Sequence, residues 1–310
     1  MIEYFCTDGQ QALRKLDAEA SGCWIAVFEP TSEELTWLRE RFGFEEEDAC
    51  AALDLEEVSR IEYNHGYTLS ILDTPVRDRS SNERSYKTIP IALFETQSNV
   101  VTVCSVYKIP LIDQLKSSKN LPPTAEVGAF ASEVLIASSA AYFMALRVIN
   151  RRRAELMNMV KRPSRKELED LYVLDSSLVY LKTSLVTNDA IFDKHLRRFA
   201  FATDEARERF DDVTIENRQA LETTRIYSEI LDSTIEHFSL LMEHDLNRTM
   251  QVVATVTLVL CVPTAVAGFF GMNVLGIPLA EIPWGFGIVT CCTVLASVVL
   301  LLVLKKLRWF

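Results

Sequence analysis

Residues 249–280 of this 310-residue chain read TMQVVATVTLVLCVPTAVAGFFGMNVLGIPLA, a run of 32 residues without a charged side chain. One acid, Glu281, follows, and residues 282–304 form a second uncharged run of 23 residues. The hydrocarbon core of a bilayer is about 30 Å thick, and about 20 apolar helical residues cross it. Both runs are long enough, so the sequence predicts a two-helix transmembrane hairpin attached to a large soluble region. The alternative, a hairpin buried in a soluble core, would have to hide two long uncharged helices from water on every side.

The charges after the second run predict the orientation. Lys305, Lys306 and Arg308 follow that run directly, and basic residues beside a span stay on the cytoplasmic side. Two spans would return the N-terminal region to the cytoplasm as well, and the opening Met1-Ile2-Glu3-Tyr4 lacks the apolar core of a signal peptide. We therefore expect a multi-pass protein of the cell (inner) membrane with both termini in the cytoplasm.

The net charge of the chain is −11, but it is unevenly distributed. Residues 250–310 hold three of the 32 basic and one of the 43 acidic side chains, which leaves 29 and 42 for residues 1–249. That acidic balance argues against a nucleic-acid partner and is compatible with cation binding or with solubility alone. The seven cysteines show no CxxC spacing, so in a cytoplasmic protein they indicate small apolar side chains and not disulfides or zinc ligands.

Short catalytic motifs are missing from the sequence. It contains no GxxxxGK[ST], GxSxG or HExxH pattern, each of which would indicate a nucleotide, acyl-transfer or zinc-protease site. We therefore do not expect an enzyme, or transport driven by ATP through this chain alone.

Glycine and proline divide the soluble region. Residues 1–128 contain five Gly and six Pro, whereas residues 129–249 contain Pro163 and no Gly. Short apolar runs bounded by turn residues predict a cytoplasmic α/β domain over 1–128. Its predicted elements are strands at 23–28, 67–72, 89–94 and 100–104, a helix at 32–42 and a hairpin loop at 78–84. The segments predicted after it are a helical stalk (129–249), a first span (250–272), an external loop (273–283), a second span (284–304) and a basic tail (305–310).

The helical stalk is predicted to contain three helices. The first covers residues 129–160, and Ser164 and Glu167 fit a capping box at the start of the second. A seam of leucines at 3-4-3-4 spacing follows, which is typical of a helix packed on other helices. Its members are Leu171, Leu174, Leu178, Leu181 and Leu185. The third helix would run from residue 205 to residue 270 and reach about 100 Å, too long to be buried in one small domain, so we expect contacts with other chains.

The end of the first span carries the motif that indicates a family. Pro263-Thr264, Gly268 and Gly271-Met272-Asn273 stand in the order found there in the CorA family of magnesium and cobalt transport proteins, which this chain resembles. The tail Lys305-Lys306-x-Arg308-Trp309 agrees, and Trp24-Ile25-x-Val27-x-x-Pro30-Thr31-x-Glu33-Glu34-Leu35 is similar to the family's opening strand and helix. One departure is that the family often has an acidic Met-Pro-Glu-Leu loop after its motif, whereas residues 274–281 read VLGIPLAE.

The resemblance implies a funnel-shaped homopentamer, in which the first span lines a central pore and the second lies outside it. The selectivity filter would consist of Gly271, Met272 and Asn273. The pore-lining positions, from the outer end inward, would be Gly268, Thr264, Cys261, Val253 and Met250. Two alternatives stay open: the hydroxyl of Thr264 bonds to its own helix backbone, or Val253 and Met250 face lipid or pack in a core.

These residues suit the transport of a hydrated cation. Mg²⁺ dehydrates reluctantly and keeps several waters, and a ring of neutral Asn273 amide oxygens could accept hydrogen bonds from those waters. The C-terminal end of each first span would add about half a negative charge at the same mouth. Gly271 allows close backbone approach where the helix ends, Met272 is expected to pack behind the filter, and a ring of apolar side chains further in would gate by dewetting.

The resemblance also implies regulation by the transported ion. The family closes when intracellular Mg²⁺ binds between neighbouring cytoplasmic domains, and Glu236 stands at about the position of the family's inter-subunit metal site. Glu243, His244 and Asp245 form a second candidate cluster. Mg²⁺ would then be both the cargo and a regulatory ligand.

The leading expectation is a passive channel that moves Mg²⁺, with Co²⁺ or Ni²⁺ as mimics, into the cytoplasm. A zinc transporter of the same superfamily is an alternative, although such members usually vary the middle residue of the motif, which is Met272 here. A non-conducting membrane-anchored scaffold or sensor is a third hypothesis. It predicts no pentamer and an activity that survives Asn273→Ala.

Overall fold

A computed structural model describes residues 1–7, 12–78, 85–107, 109–118, 121–159, 164–198, 204–272, 277–279 and 282–306. The chain divides into two compact units. The first comprises Met1–Lys161 and Arg165–Ile235, and the second comprises Arg162–Ser164 and Glu236–Phe310. The first unit holds a β-sheet with helices on both faces, and the second holds the two uncharged helices predicted above.

A mixed sheet of seven described strands forms the centre of the first unit. The strands are β1 (Ile2–Thr7), β2 (Leu13–Leu16), β3 (Trp24–Phe28), β4 (Arg60–Asn64), β5 (Tyr67–Asp78), β6 (Ser85–Thr96) and β7 (Val100–Cys104). Their order in the sheet is β2-β1-β3-β7-β6-β5-β4. The neighbours β3 and β7 run parallel, and the remaining described pairs are antiparallel.

The helices account for most of the rest of the described chain. They are α1 (Ser32–Phe42), α2 (Glu46–Ala51), α3 (Pro110–Ser117), α4 (Val127–Met159), α5 (Arg165–Arg198), α6 (Asp204–Phe270) and α7 (Gly285–Lys306). The stalk helices predicted at 129–160 and from 205 to 270 correspond to α4 and α6. The predicted helix at 32–42 is α1, whose actual capping box joins Thr31 and Glu34. The predicted capping box at Ser164 and Glu167 stays a prediction, although α5 begins next to it.

The central strand β3 shows how the sheet acquires helices on both faces. All five of its residues are buried, and successive side chains point to opposite faces. Trp24 and Phe28 belong to a cluster that includes residues of α3 and α4, whereas Ile25 and Val27 belong to one that includes residues of α1 and α2. The indole of Trp24 donates to the Thr102 hydroxyl at 3.0 Å, so its polar group is satisfied inside the core.

The side-chain amide of Asn188 holds helix α5 to the sheet through two hydrogen bonds. The Asn188 side chain accepts from the Asp73 backbone N–H at 3.2 Å and donates to the Asp73 carbonyl at 3.1 Å. The Tyr142 hydroxyl of α4 donates to the same carbonyl at 2.9 Å. Buried backbone groups need such partners, so this one residue of β5 aligns both long helices on the sheet. The predicted leucine seam of α5 is confirmed as buried, because its five members are at most 2% exposed.

The two strands that flank the predicted hairpin loop at 78–84 pair with each other. Asp78 of β5 pairs with Ser85 of β6 in an antiparallel register that continues to Tyr67 and Thr96. Residues 79–84 lie outside the described residues.

Candidate pore-lining helix

Three described helices are long and apolar enough to cross a membrane by length and composition: α4, α6 and α7. They differ in how they are packed. The most apolar window of α4 is 67% buried within the protein, whereas the corresponding windows of α6 and α7 are 6% and 0% buried. Helix α4 therefore buries most of its apolar surface within the protein. The two predicted spans, in α6 and α7, keep exposed apolar surface that could contact lipid or other chains.

One face of the α6 span is partly covered. Gln251, Thr255, Val259, Val262 and Val266 recur every three or four residues and are less exposed than their neighbours, as one stripe of a helix would be. Thr255 is 5% exposed, and among the described residues its hydroxyl has no hydrogen-bond partner.

A matching stripe lies on α7. Gly285, Val289, Thr293, Ser297, Leu300 and Leu304 recur at the same helical spacing and are also less exposed than their neighbours. Val266 of the α6 stripe lines one cavity of about 550 Å³ together with Gly285, Val289 and Thr293 of the α7 stripe. We call the α6 stripe the α7-facing stripe.

The predicted pore-lining residues lie on the other side of α6. A helix has about 3.6 residues per turn, so Thr264, nine residues after Thr255, projects about two and a half turns away, on the opposite side. Met250 and Val253 are 61% and 56% exposed, and Cys261, Thr264 and Gly268 are exposed as well. The structure thus brings these five positions together as one uncovered stripe, which we call the open stripe.

The open stripe is electrically neutral, and its polar groups are partly engaged. The Thr264 hydroxyl donates to the Leu260 carbonyl at 2.8 Å, which is the backbone bond considered above as an alternative. Its oxygen lone pairs are not used by that bond. Among the described residues, and apart from the adjacent backbone of α6 itself, no atom lies within 4 Å of a methyl group added at Gly268, so this position leaves open space beside the helix.

The motif begins where α6 ends. The Gly271 N–H donates to the Ala267 carbonyl at 2.9 Å, and a methyl group added to Gly271 would stand 3.1 Å from that carbonyl oxygen. Met272 is 51% exposed in the single chain, and its packing behind the filter stays a prediction. Asn273 lies outside the described residues.

The remaining predicted residues are distributed along the same two helices. Glu236 is exposed on α6, and the described residues contain no group of three or more His, Cys, Asp or Glu side chains placed to hold a metal. Lys305 and Lys306 occupy the last turn of α7, and Arg308 lies outside the described residues. The α7-facing stripe was not predicted from the sequence, although its small and β-branched residues at helical spacing could have indicated it.

Comparison with known proteins accounts for this arrangement. The cobalt/magnesium transport protein CorA of Methanocaldococcus jannaschii is 25% identical over 292 residues, which cover 92% of this chain and 90% of that protein. The complete structure of the CorA magnesium transporter from the same organism matches with a TM-score of 0.81 and 23% identity, covering 100% of this chain and 99% of that one.

A second solved structure, that of the full-length CmaX protein, matches with a TM-score of 0.69 at 17% identity and covers 99% of this chain and 97% of that chain. At these identities the structural matches show a shared fold. The family model described as CorA-like Mg²⁺ transporter protein matches residues 19–306. Because this match covers nearly the whole chain, including five of the seven described strands and both uncharged runs, this protein belongs to the CorA-like Mg²⁺ transporter family.

Proposed function

We propose that this chain forms a homopentameric channel that passes hydrated Mg²⁺, with Co²⁺ or Ni²⁺ as mimics, across the cell membrane into the cytoplasm. The family to which it belongs consists of Mg²⁺ and Co²⁺ transporters, which are membrane proteins. The observation that carries the finer proposal is the open stripe, because it lies opposite the α7-facing stripe and is uncovered in a single chain. Five copies that turn this stripe toward a common axis would enclose a pore, with each α7 on the outside.

The open stripe is suited to an ion that keeps its water shell. Residues 249–270 contain no ionisable acid or base, so no carboxylate ring would strip water from the ion. Mg²⁺ loses its waters reluctantly, and the free lone pairs of Thr264 can accept hydrogen bonds from those waters. Gly268 adds width, since it places no side chain on the stripe.

The outer mouth would act as a filter by hydrogen bonding and helix polarity. We propose that the Asn273 amides of five copies form a ring there, with Gly271 and Met272 supporting it at the end of α6. The C-terminal end of each helix carries about half a negative charge. Five such ends attract a cation without binding it so tightly that it cannot leave.

Closure would occur deeper along the stripe. Met250 and Val253 present large apolar side chains that are more than half exposed in one chain, and Cys261 adds a third apolar position. Five copies of each would form narrow apolar rings. Such rings exclude water when they approach one another, which closes a pore without a charged gate.

The direction of transport would follow from the membrane potential. Lys305, Lys306 and Arg308 would hold the C-terminal end in the cytoplasm, and the first unit would lie on the same side. A potential of 100 mV is worth about 2.3 kcal/mol per elementary charge, hence about twice that for a divalent cation. This drives Mg²⁺ inward without a nucleotide.

Regulation would use the same ion. We propose that intracellular Mg²⁺ binds between the cytoplasmic domains of neighbouring copies, with Glu236 among its ligands, and favours the closed state by its higher affinity for that state. Glu236→Ala should then raise the internal Mg²⁺ concentration needed to stop influx, without changing the selectivity of the open pore.

The test is influx into proteoliposomes that contain a magnesium-sensitive dye, comparing the wild type with Asn273→Ala. The matched control is Asn247→Ala, which removes the same group from α6 before the uncharged run. We expect Asn273→Ala to abolish selective uptake while the oligomer stays assembled, and Asn247→Ala to conduct like the wild type.

Three outcomes would contradict the proposal in different ways. Wild-type selectivity in Asn273→Ala would remove this residue from the filter. Zinc influx without magnesium influx would favour a zinc transporter of the same superfamily. No influx of either ion at any internal Mg²⁺ concentration would favour a non-conducting scaffold or sensor.

A further inference from the structure

A cavity of about 670 Å³ opens on the first unit, far along the chain from the uncharged helices. It lies beside the carboxyl ends of the parallel strands β3 and β7, because Val106 and Tyr107, which follow β7 directly, line it. Sheets with parallel strands bind small molecules outside these carboxyl ends. The volume also falls within the range of about 300–1,000 Å³ that is common for small-molecule sites.

Two guanidinium groups reach this cavity. Among its described lining residues, Arg77 at the end of β5 and Arg147 of α4 are basic and Asp113 is acidic, and the Glu29 carboxylate lies beside the Tyr107 N–H. The first turn of α3 contributes Pro110 to the lining. The planar guanidinium groups of Arg77 and Arg147 suit the binding of a phosphate.

Two tyrosines give the cavity flat surfaces. Tyr86 is 7% exposed and pairs directly across the strands with Arg77. Tyr107 is 37% exposed, and its ring meets that of Phe28 edge to face with centroids 5.6 Å apart. Its backbone N–H also donates to the Glu29 carboxylate at 3.3 Å. Aromatic rings held in place at a partly open site are suited to stacking on a planar ring, as occurs with nucleobases.

The backbone beside Tyr107 is strained. Glu29, which follows β3, has a φ of 42°, in the left-handed region that residues other than glycine seldom adopt. Its N–H donates to the Cys104 carbonyl at 3.0 Å, so it joins the ends of both parallel strands. Such strain costs about 1–3 kcal/mol and is concentrated at ligand sites. At Glu29, the strained backbone places the carboxylate that accepts the hydrogen bond from the Tyr107 N–H.

We propose that this cavity binds a nucleoside phosphate, with the phosphate between Arg77 and Arg147 near the start of α3 and the base against Tyr107 and Tyr86. The proposal is independent of the channel function, because it concerns binding to the first unit and requires no ion flux. It assigns to the cytoplasmic region a second kind of ligand besides the divalent cation.

The experiment is titration calorimetry of AMP into the purified full-length protein in nanodiscs, with a chelator present so that no Mg²⁺ contributes. We expect saturable binding that Arg147→Ala weakens by about tenfold or more, as expected for the loss of a charge-assisted phosphate contact. The matched control is Arg151→Ala, one turn along α4 and outside the cavity lining, which should bind AMP like the wild type. Tyr107→Leu should weaken binding, and Tyr107→Phe should preserve it, since the ring and not the hydroxyl would contact the base.

Competition identifies the part of the ligand that is recognised. AMP should bind at least about tenfold more tightly than adenosine or inorganic phosphate, since each of these retains only half of the contacts. Absence of AMP binding would overturn the proposal, as would equal affinity for AMP and phosphate, or unchanged affinity in both Arg147→Ala and Tyr107→Leu. Loss of magnesium influx in any channel variant would leave these binding results unaffected, so the two proposals fail separately.

Discussion

Thr264 shows how a residue on the open stripe can be polar without adding a charge to the span. Its hydroxyl hydrogen is committed to the Leu260 carbonyl at 2.8 Å, so what it presents away from the helix is an acceptor. Water molecules around a cation direct their hydrogens outward and need acceptors. The local backbone bond, which on the sequence alone was an alternative to a pore role, is therefore compatible with that role.

The thiol of Cys261 allows a chemical test of whether the open stripe lines the ion path. It is exposed on the stripe, whereas Cys291 and Cys292 lie on α7. A cationic methanethiosulfonate reagent should reduce magnesium influx roughly tenfold, because a bulky charged adduct would occupy an apolar constriction. Cys261→Ser should be insensitive, while Cys291→Ser and Cys292→Ser should still be inhibited. Equal inhibition of Cys261→Ser and the wild type would place this residue away from the ion path.

Glu95, at the end of β6, makes stability depend on pH. Burial raises the pKa of its carboxyl to about 7, well above the ordinary value of 4.5 for a glutamate. The folded protein therefore holds this proton more tightly than the unfolded chain, and the resulting stability is lost as pH rises from about 4.5 through about 7. Glu95→Gln should be more stable than the wild type at about pH 8, by at most about 3 kcal/mol at 1.36 kcal/mol per pKa unit.

That upper bound is reduced because the Glu95 side chain keeps some contact with water. Thermal unfolding of the full-length protein at several pH values measures the effect, and Glu40→Gln on the exposed side of α1 is the control. A stability difference between Glu95→Gln and the wild type that does not vary with pH would contradict the prediction.

Helix α5 packs one face in the core and exposes the opposite face. Leu178 is 1% exposed, and its neighbour Val179 is 54% exposed. Leu178→Ala should lower the free energy of unfolding by about 2–5 kcal/mol, because it leaves a cavity in a packed core. Val179→Ala should change it by no more than about 0.5 kcal/mol. Similar melting temperatures for the two variants would mean that the seam is not the packed face.

The strands that were predicted from the sequence are those whose own apolar residues indicate that they are buried. The apolar runs of β3, β5, β6 and β7 were predicted, although β5 extends to Asp78 because its pairing with β6 continues to the turn. Strand β1 was missed although its residues alternate in burial. Strands β2 and β4 were also missed, since LRKL and RIEYN are largely polar edge segments. Their extended form depends on neighbouring strands, such as Ile71 of β5 opposite Arg60, and that information lies elsewhere in the chain.

The pore proposed for the whole molecule would be enclosed by five copies of the open stripe. Native mass spectrometry of the detergent-solubilised protein should give about 175 kDa, five times the chain mass of 35.1 kDa, as expected for a closed cyclic assembly. Asn273→Ala should give the same mass. A monomer or dimer under conditions that preserve influx would contradict the pentamer.

The two candidate sites differ in how far the sequence could reveal them. The open stripe follows from helical periodicity once a family motif sets its phase, because its residues lie on one element. The cavity proposed to bind a nucleoside phosphate could not be predicted from the sequence, because Arg77, Tyr107 and Arg147 come from three separate segments. No spacing connects them, and they meet because the sheet order and the packing of α4 place them together.

The division of the α6 span into two faces has a consequence for how its sequence tolerates change. If α7 were the only neighbour, saturation mutagenesis scored by growth on limiting magnesium would show one intolerant side, centred on Thr255 and Val259, and a permissive side opposite. A pore adds a second intolerant side, centred on Thr264 and Gly268. The tolerance profile along residues 250–270 would then show two minima in each helical repeat of 3.6 residues. Lipid-facing positions would lie between the two minima.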